Sequence, residues 1–179
     1  MCCRFQLKAS PEMIETINRR KPQQMKIDGE IFPGDVVPVV ASSKNKTPSA
    51  FAMQWGYHLN NKLVFNARSE TAGEKKIFRE GLLYHRCIIP ASCYYEWNEK
   101  KKYRVQRAEQ ETFLAGIYRM EERPVFTILT RDPGENMLWL HPRMPVILSE
   151  DLVDAWINPD ADPQKLLQNS ITEMTVEMA

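Results

Sequence analysis

From Val36 onward the chain is a succession of short apolar runs, each closed by a turn signal, and that spacing constrains the fold more than any other feature. Pro33-Gly34-Asp35 leads into Val36-Val37-Pro38-Val39-Val40. Residues 51–57 form a second run that ends or bends at Gly56, and Asn60-Asn61 separates it from Leu63-Val64-Phe65. Further runs occupy 86–90, 94–97, 103–106, 112–118 and 125–130, and residues 2–7 form a weaker one at the start. Short segments rich in β-branched and aromatic residues between turn residues read as strands. Pro38 lacks an N–H, so its strand is expected at an edge or a bulge. Helical patterns are fewer. Ser10-Pro11-Glu12 is a helix start, with Ser10 as cap and Pro11 in the first turn. Residues 75–83, a stretch capped by Ser149 and running to Trp156, and 162–168 supply the others. These helices fall between groups of strands, which excludes a βαβ alternation. The expected class is α+β: a mainly antiparallel β core, partly closed and barrel-like, with peripheral helices.

The chain has 179 residues, 43% of them hydrophobic, enough for one core, so a single domain over 1–179 is expected. Net charge is +1, which gives no bulk attraction to nucleic acid but leaves room for a locally basic groove. No run approaches the length of a membrane span, and the polar start lacks the apolar stretch of a signal peptide. A cytoplasmic, reducing setting follows, with Cys2, Cys3, Cys87 and Cys93 as thiols. Their spacing does not match a zinc site, and no metal or other cofactor is expected.

The chemistry concentrates in a few places. Cys2 follows the initiator methionine. Once Met1 is removed, Cys2 carries an α-amine of pKa about 7.7–8.0 beside its thiol. Such a pair can capture an aldehyde, the amine forming an imine and the thiol closing a thiazolidine ring, a step that gains from proximity. The competing reading is a buried residue of the first strand. Asn66, Arg68 and Glu70 stand at period two, so an extended chain would present an amide, a guanidinium and a carboxylate on one face; otherwise Arg68 pairs with Glu70 on an exposed edge. Glu96 lies inside the aromatic run Tyr94-Tyr95-Glu96-Trp97, where burial would raise its pKa for acid–base work, or where it serves a structural ion pair. His141, in His141-Pro142-Arg143-Met144-Pro145, is held by two prolines in a rigid segment and can move protons near neutral pH. Trp55, before Gly56, is either core or an apolar shelf for a nucleobase. His58 and His85 lack such a setting and read as structural or surface residues.

These stretches, taken in order, resemble the SRAP family of abasic-site processing proteins related to bacterial SOS-response-associated peptidases. The resemblance rests on Met1-Cys2-Cys3-Arg4-Phe5, Pro33-Gly34-Asp35, Met53-Gln54-Trp55-Gly56, residues 65–71, residues 86–92, Tyr95-Glu96-Trp97 and residues 141–145. It implies a largely β fold and covalent capture of abasic sites in single-stranded DNA through Cys2. Asn66, Glu96 and His141 would assist the chemistry, and Arg4, Trp55, Arg68, Glu70 and Arg143 would line the DNA path. It also implies a peptidase activity that could remove Met1 in cis, a step a cellular methionine aminopeptidase could equally perform, and a weak lyase activity, with no small-molecule cofactor, no membrane and a monomeric chain. Two further readings stay open: a Cys2-dependent thiol peptidase acting on proteins, and a non-catalytic single-stranded DNA module. Cys3 and Cys93 stand where the family usually has glycine, and Cys3 is expected to face away from Cys2.

Overall fold

The computed structural model describes residues 2–108 and 111–179. β1 (Phe5–Lys8) leads to α1 (Pro11–Arg20) and β2 (Asp28–Ile31). The expected helix start is present: the Met13 N–H donates to Ser10 Oγ at 3.3 Å, and Pro11 occupies the first turn. β3 (Val36–Ser42) and β4 (Pro48–Trp55) form a long hairpin, followed by the short strands β5 (Tyr57–Leu59), β6 (Lys62–Val64) and β7 (Asn66–Arg68). Gly56 separates β4 from β5 at φ +119°, where a Cβ would meet a Leu63 side-chain atom at 2.4 Å, so the bend requires glycine.

α2 (Ser69–Ala72) and α3 (Lys76–Tyr84) precede β8 (Arg86–Ala91), β9 (Cys93–Asn98) and β10 (Lys101–Gln106). β11 (Thr112–Met120) and β12 (Pro124–Arg131) follow, and a single 3₁₀ turn, Glu135–Met137, leads to β13 (Met144–Pro145) and β14 (Ile147–Leu148). α4 (Glu150–Ile157), α5 (Pro163–Gln168) and β15 (Thr175–Met178) complete the chain. Ser149 occupies the cap position of α4 but makes no capping side-chain bond, whereas Asp162 caps α5 by accepting from the Gln164 N–H at 2.9 Å.

The strands form two main layers. One is an antiparallel sheet in the order β15-β10-β9-β1-β2. The other runs β12-β4-β3-β8-β11 and closes on itself, because β11 also pairs with β12. The class is therefore α+β with a barrel core, as the strand pattern predicts. Its pairing is mixed: β12 runs parallel to both β4 and β7. Contrary to expectation, the Pro38 strand is not at an edge; β3 lies between β4 and β8. The ladder to β8 involves only Val40 and Ala41, beyond Pro38, so the missing N–H costs no bond there.

The core lies between the layers, and β1 is pinned to it by Phe5 and Leu7, both fully buried. Each such side chain contributes about 1.5–3 kcal/mol. β1 begins at Phe5 rather than at Cys2, so the preceding residues run from a fixed anchor as irregular chain. Ser92 is the corner at which the chain leaves the barrel at β8 and enters the other sheet at β9; its N–H donates to the Gln6 carbonyl at 2.9 Å. That corner sets β9, and with it Glu96, beside the start of the chain.

Candidate active site

Cys2 has no exposed surface and packs in the same core cluster as Phe5, Trp55 and Tyr94. Its carbonyl accepts a hydrogen bond from Asn66 Nδ2 at 2.8 Å, and its Sγ points to the Arg4 carbonyl at 3.9 Å. Asn66 reaches it from β7, which is held parallel to β12 through Asn66 opposite Ile128. Glu96 arrives from β9. Phe5 stands opposite Tyr94, and the Tyr95 N–H donates to the Arg4 carbonyl at 2.9 Å, which carries the β1–β9 ladder toward Glu96.

Glu96 is 4% exposed. Burial pushes its carboxyl above the ordinary range, and the electrostatic influence of nearby His141 opposes that shift. The Cys2 thiol is raised well above its usual value, first by burial and then by the Glu96 charge. Glu96 thus lies within electrostatic reach of both Cys2 and His141. His141 precedes β13, and its Nδ1 is 3.0 Å from both the Arg143 N–H and the Arg143 carbonyl. The neutral ring with Nδ1 unprotonated accepts from that N–H; with Nδ1 protonated it donates to that carbonyl. Either way the ring keeps one orientation through a proton transfer.

The remaining residues singled out by sequence divide. Arg68 ends β7, is exposed and makes no side-chain hydrogen bond or ion pair among the described residues. Glu70 does not share its face, because helix α2 begins at Ser69 and takes Glu70 off the extended path. Nor does Glu70 pair with Arg68. It receives a two-pronged hydrogen bond from Arg143, at 2.9 and 2.8 Å, while Arg143 also holds Asp132 and donates to the Thr130 carbonyl at 2.8 Å. Arg143 and Glu70 are therefore committed to fixing the His141 segment against α2 and β12. Arg4 pairs with Glu30 at 3.2 Å, with its guanidinium 4.3 Å from the Phe32 ring centre and 4.8 Å from that of Trp97.

Trp55 is no shelf. It is completely buried, its indole N–H donates to the Phe65 carbonyl at 2.9 Å, and Phe5, Phe65 and Phe126 surround it. A strand inside a closed barrel turns alternate side chains inward, and Trp55 is one of them. Cys3 is half-buried while Cys2 is fully buried. Cys93 is also buried and opens β9 opposite Gln6.

Tyr94, a core aromatic by sequence, also belongs to the site. It is fully buried, its hydroxyl has no hydrogen-bond partner among the described residues, and its pKa is raised well above the ordinary value by burial, then by Cys2 and Glu96. Its spacing of two from Glu96 on one strand was the available signal. Among the described residues no group of three or more His, Cys, Asp or Glu is placed to hold a metal ion, and no helix is long and apolar enough to cross a membrane.

Fold and site together define a class of small proteins in which a mixed barrel carries a second sheet and a cysteine at position 2 is enclosed between them. The chain belongs to the SRAP family: the profile described as SOS response associated peptidase (SRAP) matches residues 1–179. Abasic site processing protein YoqW of Bacillus subtilis (strain 168) is 32% identical over 198 aligned residues, spanning 94% of this chain and 87% of that protein. Abasic site processing protein YoaM of the same organism is 38% identical over 59% of this chain and 52% of its own length. A crystal structure of a protein from Bacteroides thetaiotaomicron superposes with a TM-score of 0.79 over 99% of this chain and 91% of that one; at 21% identity it shows the shared fold.

Proposed function

We propose that this protein captures abasic sites in single-stranded DNA through Cys2 and so shields the lesion. The observation that carries the reading is the hydrogen bond from Asn66 Nδ2 to the Cys2 carbonyl beside the buried Glu96, in a chain whose relatives are named for abasic-site processing. An abasic deoxyribose opens to an aldehyde at C1′. With Met1 removed, the Cys2 amine adds to C1′; His141 supplies the proton as the sugar ring opens, and Glu96 moves the proton off the nitrogen. Loss of one water gives the imine. The Cys2 thiol then forms the S–C1′ bond, its proton passes to the nitrogen, and the thiazolidine closes. Asn66 holds the residue that carries both nucleophilic atoms. Arg68, exposed and without a carboxylate partner among the described residues, contacts a flanking phosphate. If ring closure lags, the imine permits β-elimination, a weak lyase activity. Release of Met1 by the same groups in cis would be a peptidase step, in line with a family described as a peptidase.

Intact mass spectrometry tests this. Met1-processed protein incubated with an abasic single-stranded oligonucleotide should gain the oligonucleotide mass less one water, and should gain nothing with an intact strand. Cys2→Ala should give no adduct, and Cys2→Ser should give only an imine trapped by borohydride. An equally stable adduct from Cys2→Ala would end the proposal, and peptide turnover without an adduct would point to a peptidase acting on proteins.

A further inference from the structure

Trp55, an aromatic-shelf candidate by sequence, is buried. The structure offers another. Trp139 is 51% exposed, and its neighbour Leu138 is also exposed. The indole is nevertheless fixed in place. Its N–H donates to the Asn136 carbonyl at 3.0 Å, its ring lies edge-on to Tyr103 with centres 5.1 Å apart, and its carbonyl accepts from Asn98 Nδ2 at 2.7 Å. Two of these contacts tie it to the site. Tyr103 is the direct cross-strand partner of Glu96, Asn98 lies two residues beyond Glu96 on the same strand, and Trp139 itself lies two residues before His141. An exposed aromatic held this firmly presents a stacking face with little mobility left to lose on binding.

Cations adjoin it. Asn98 stands opposite Lys101 at the end of the β9–β10 hairpin, whose turn residues Glu99 and Lys100 both have positive φ. Lys100 and Lys101 are exposed, and their side chains make no ion pair or hydrogen bond among the described residues. Lys102, by contrast, is committed to Glu30. An exposed indole held next to a turn with two uncommitted lysines matches the recipe for single-stranded nucleic acid, in which bases stack on aromatics and the backbone follows positive charge. An apolar protein partner would gain nothing from the lysines.

We propose that Trp139 and the Lys100–Lys101 turn form a subsite for a nucleotide flanking the abasic residue, the base stacking on the indole and its phosphate facing the two lysines. This rests on the reading of the protein as an abasic-site binder and deepens it. The experiment titrates processed protein with a single-stranded abasic oligonucleotide and with its intact counterpart. It follows tryptophan fluorescence and the DNA concentration that gives half-maximal adduct rate. Wild-type fluorescence should be quenched by both strands. Trp139→Ala should remove most of the quenching and raise the half-saturating concentration about tenfold or more, the effect of losing one stacked base. Trp139→Phe should recover most of that affinity, and Lys100→Glu with Lys101→Glu should weaken binding in a salt-dependent way. Met120→Ala, at an exposed apolar position on the β11–β12 hairpin, serves as the control. A half-saturating concentration within twofold of wild type in both Trp139→Ala and the lysine double variant would overturn the subsite while leaving adduct formation intact. Quenching that depends on Trp139 without any adduct would instead retain the subsite and discard the abasic-site reading.

Discussion

At the level of single residues, the site depends on one carboxyl being out of water. Exposed glutamates are charged through most of the physiological range, whereas burial lifts Glu96 above that norm even with His141 opposing the shift. A protonated Glu96 cannot take a proton, so adduct formation should decline as pH falls through its raised pKa, at a higher pH than an exposed glutamate would impose. A separate decline follows from protonation of the Cys2 amine near its pKa of about 7.7–8.0. Glu96→Gln should slow the reaction about 10²–10⁴-fold and remove the carboxyl limb while keeping the amine limb. The check is the adduct rate measured across pH at saturating DNA; a variant that retained both limbs would remove Glu96 from the mechanism. The same substitution takes away a charge that raises the Cys2 thiol pKa, although burial, the larger cause, remains.

At the level of elements, sequence and structure agree where the signal is local. Ser10-Pro11 starts α1, Gly56 breaks a strand, and Asn60-Asn61 makes a turn in which both residues have positive φ. Each follows from backbone preferences within a few residues. The parallel alignment of β12 with β4 and β7 was not legible, because such pairing depends on distant segments meeting. For the same reason Trp55 could be read either way: its spacing shows that it faces one side of a strand, and only barrel closure makes that side the interior. Within the site, Cys2, Glu96 and His141 were recognisable as chemistry, but the Arg143–Glu70 clamp was not. The onset of α2 at Ser69 decides it, and the sequence there also fits an extended chain.

Arg86 is a second hidden feature at this level. Almost fully buried, it donates to the Leu82 and Leu83 carbonyls at 2.8 and 2.7 Å, to Trp156 at 2.6 Å, to Ala161 at 3.0 Å, and to Asn158. One side chain thereby satisfies the carboxyl ends of both α3 and α4. Arg86→Leu strands several buried acceptors and should lower stability by about 3 kcal/mol or more, read from the urea midpoint. A loss under about 0.5 kcal/mol would show that water replaces it.

Across the whole molecule, Glu30 on β2 ties together the sheet that carries the amino terminus. It receives Lys102 from β10 and Arg4 from the segment before β1, and its pKa is lowered, chiefly by the Lys102 hydrogen bond. A lowered carboxyl pKa gives stability that is present above the unfolded value, near 4.5, and is lost as pH falls through the folded one. Wild type should therefore exceed Glu30→Gln in urea resistance at pH 6, and the gap should shrink below about pH 4.5. A gap that stayed constant with pH would show that the pairing is not the cause. Both layers meet at Cys2, and its complete burial has a chemical consequence for a protein of the proposed kind. A 1,2-aminothiol in open solution condenses with formaldehyde, glyoxal or any sugar in its open form, and a cell holds far more of these than of damaged DNA. In the chain that still carries Met1 the Cys2 nitrogen is an amide and its thiol is enclosed, so the pair is withheld from such scavengers. The enclosure would then act as a sheath, keeping a reactive end unspent until Met1 leaves.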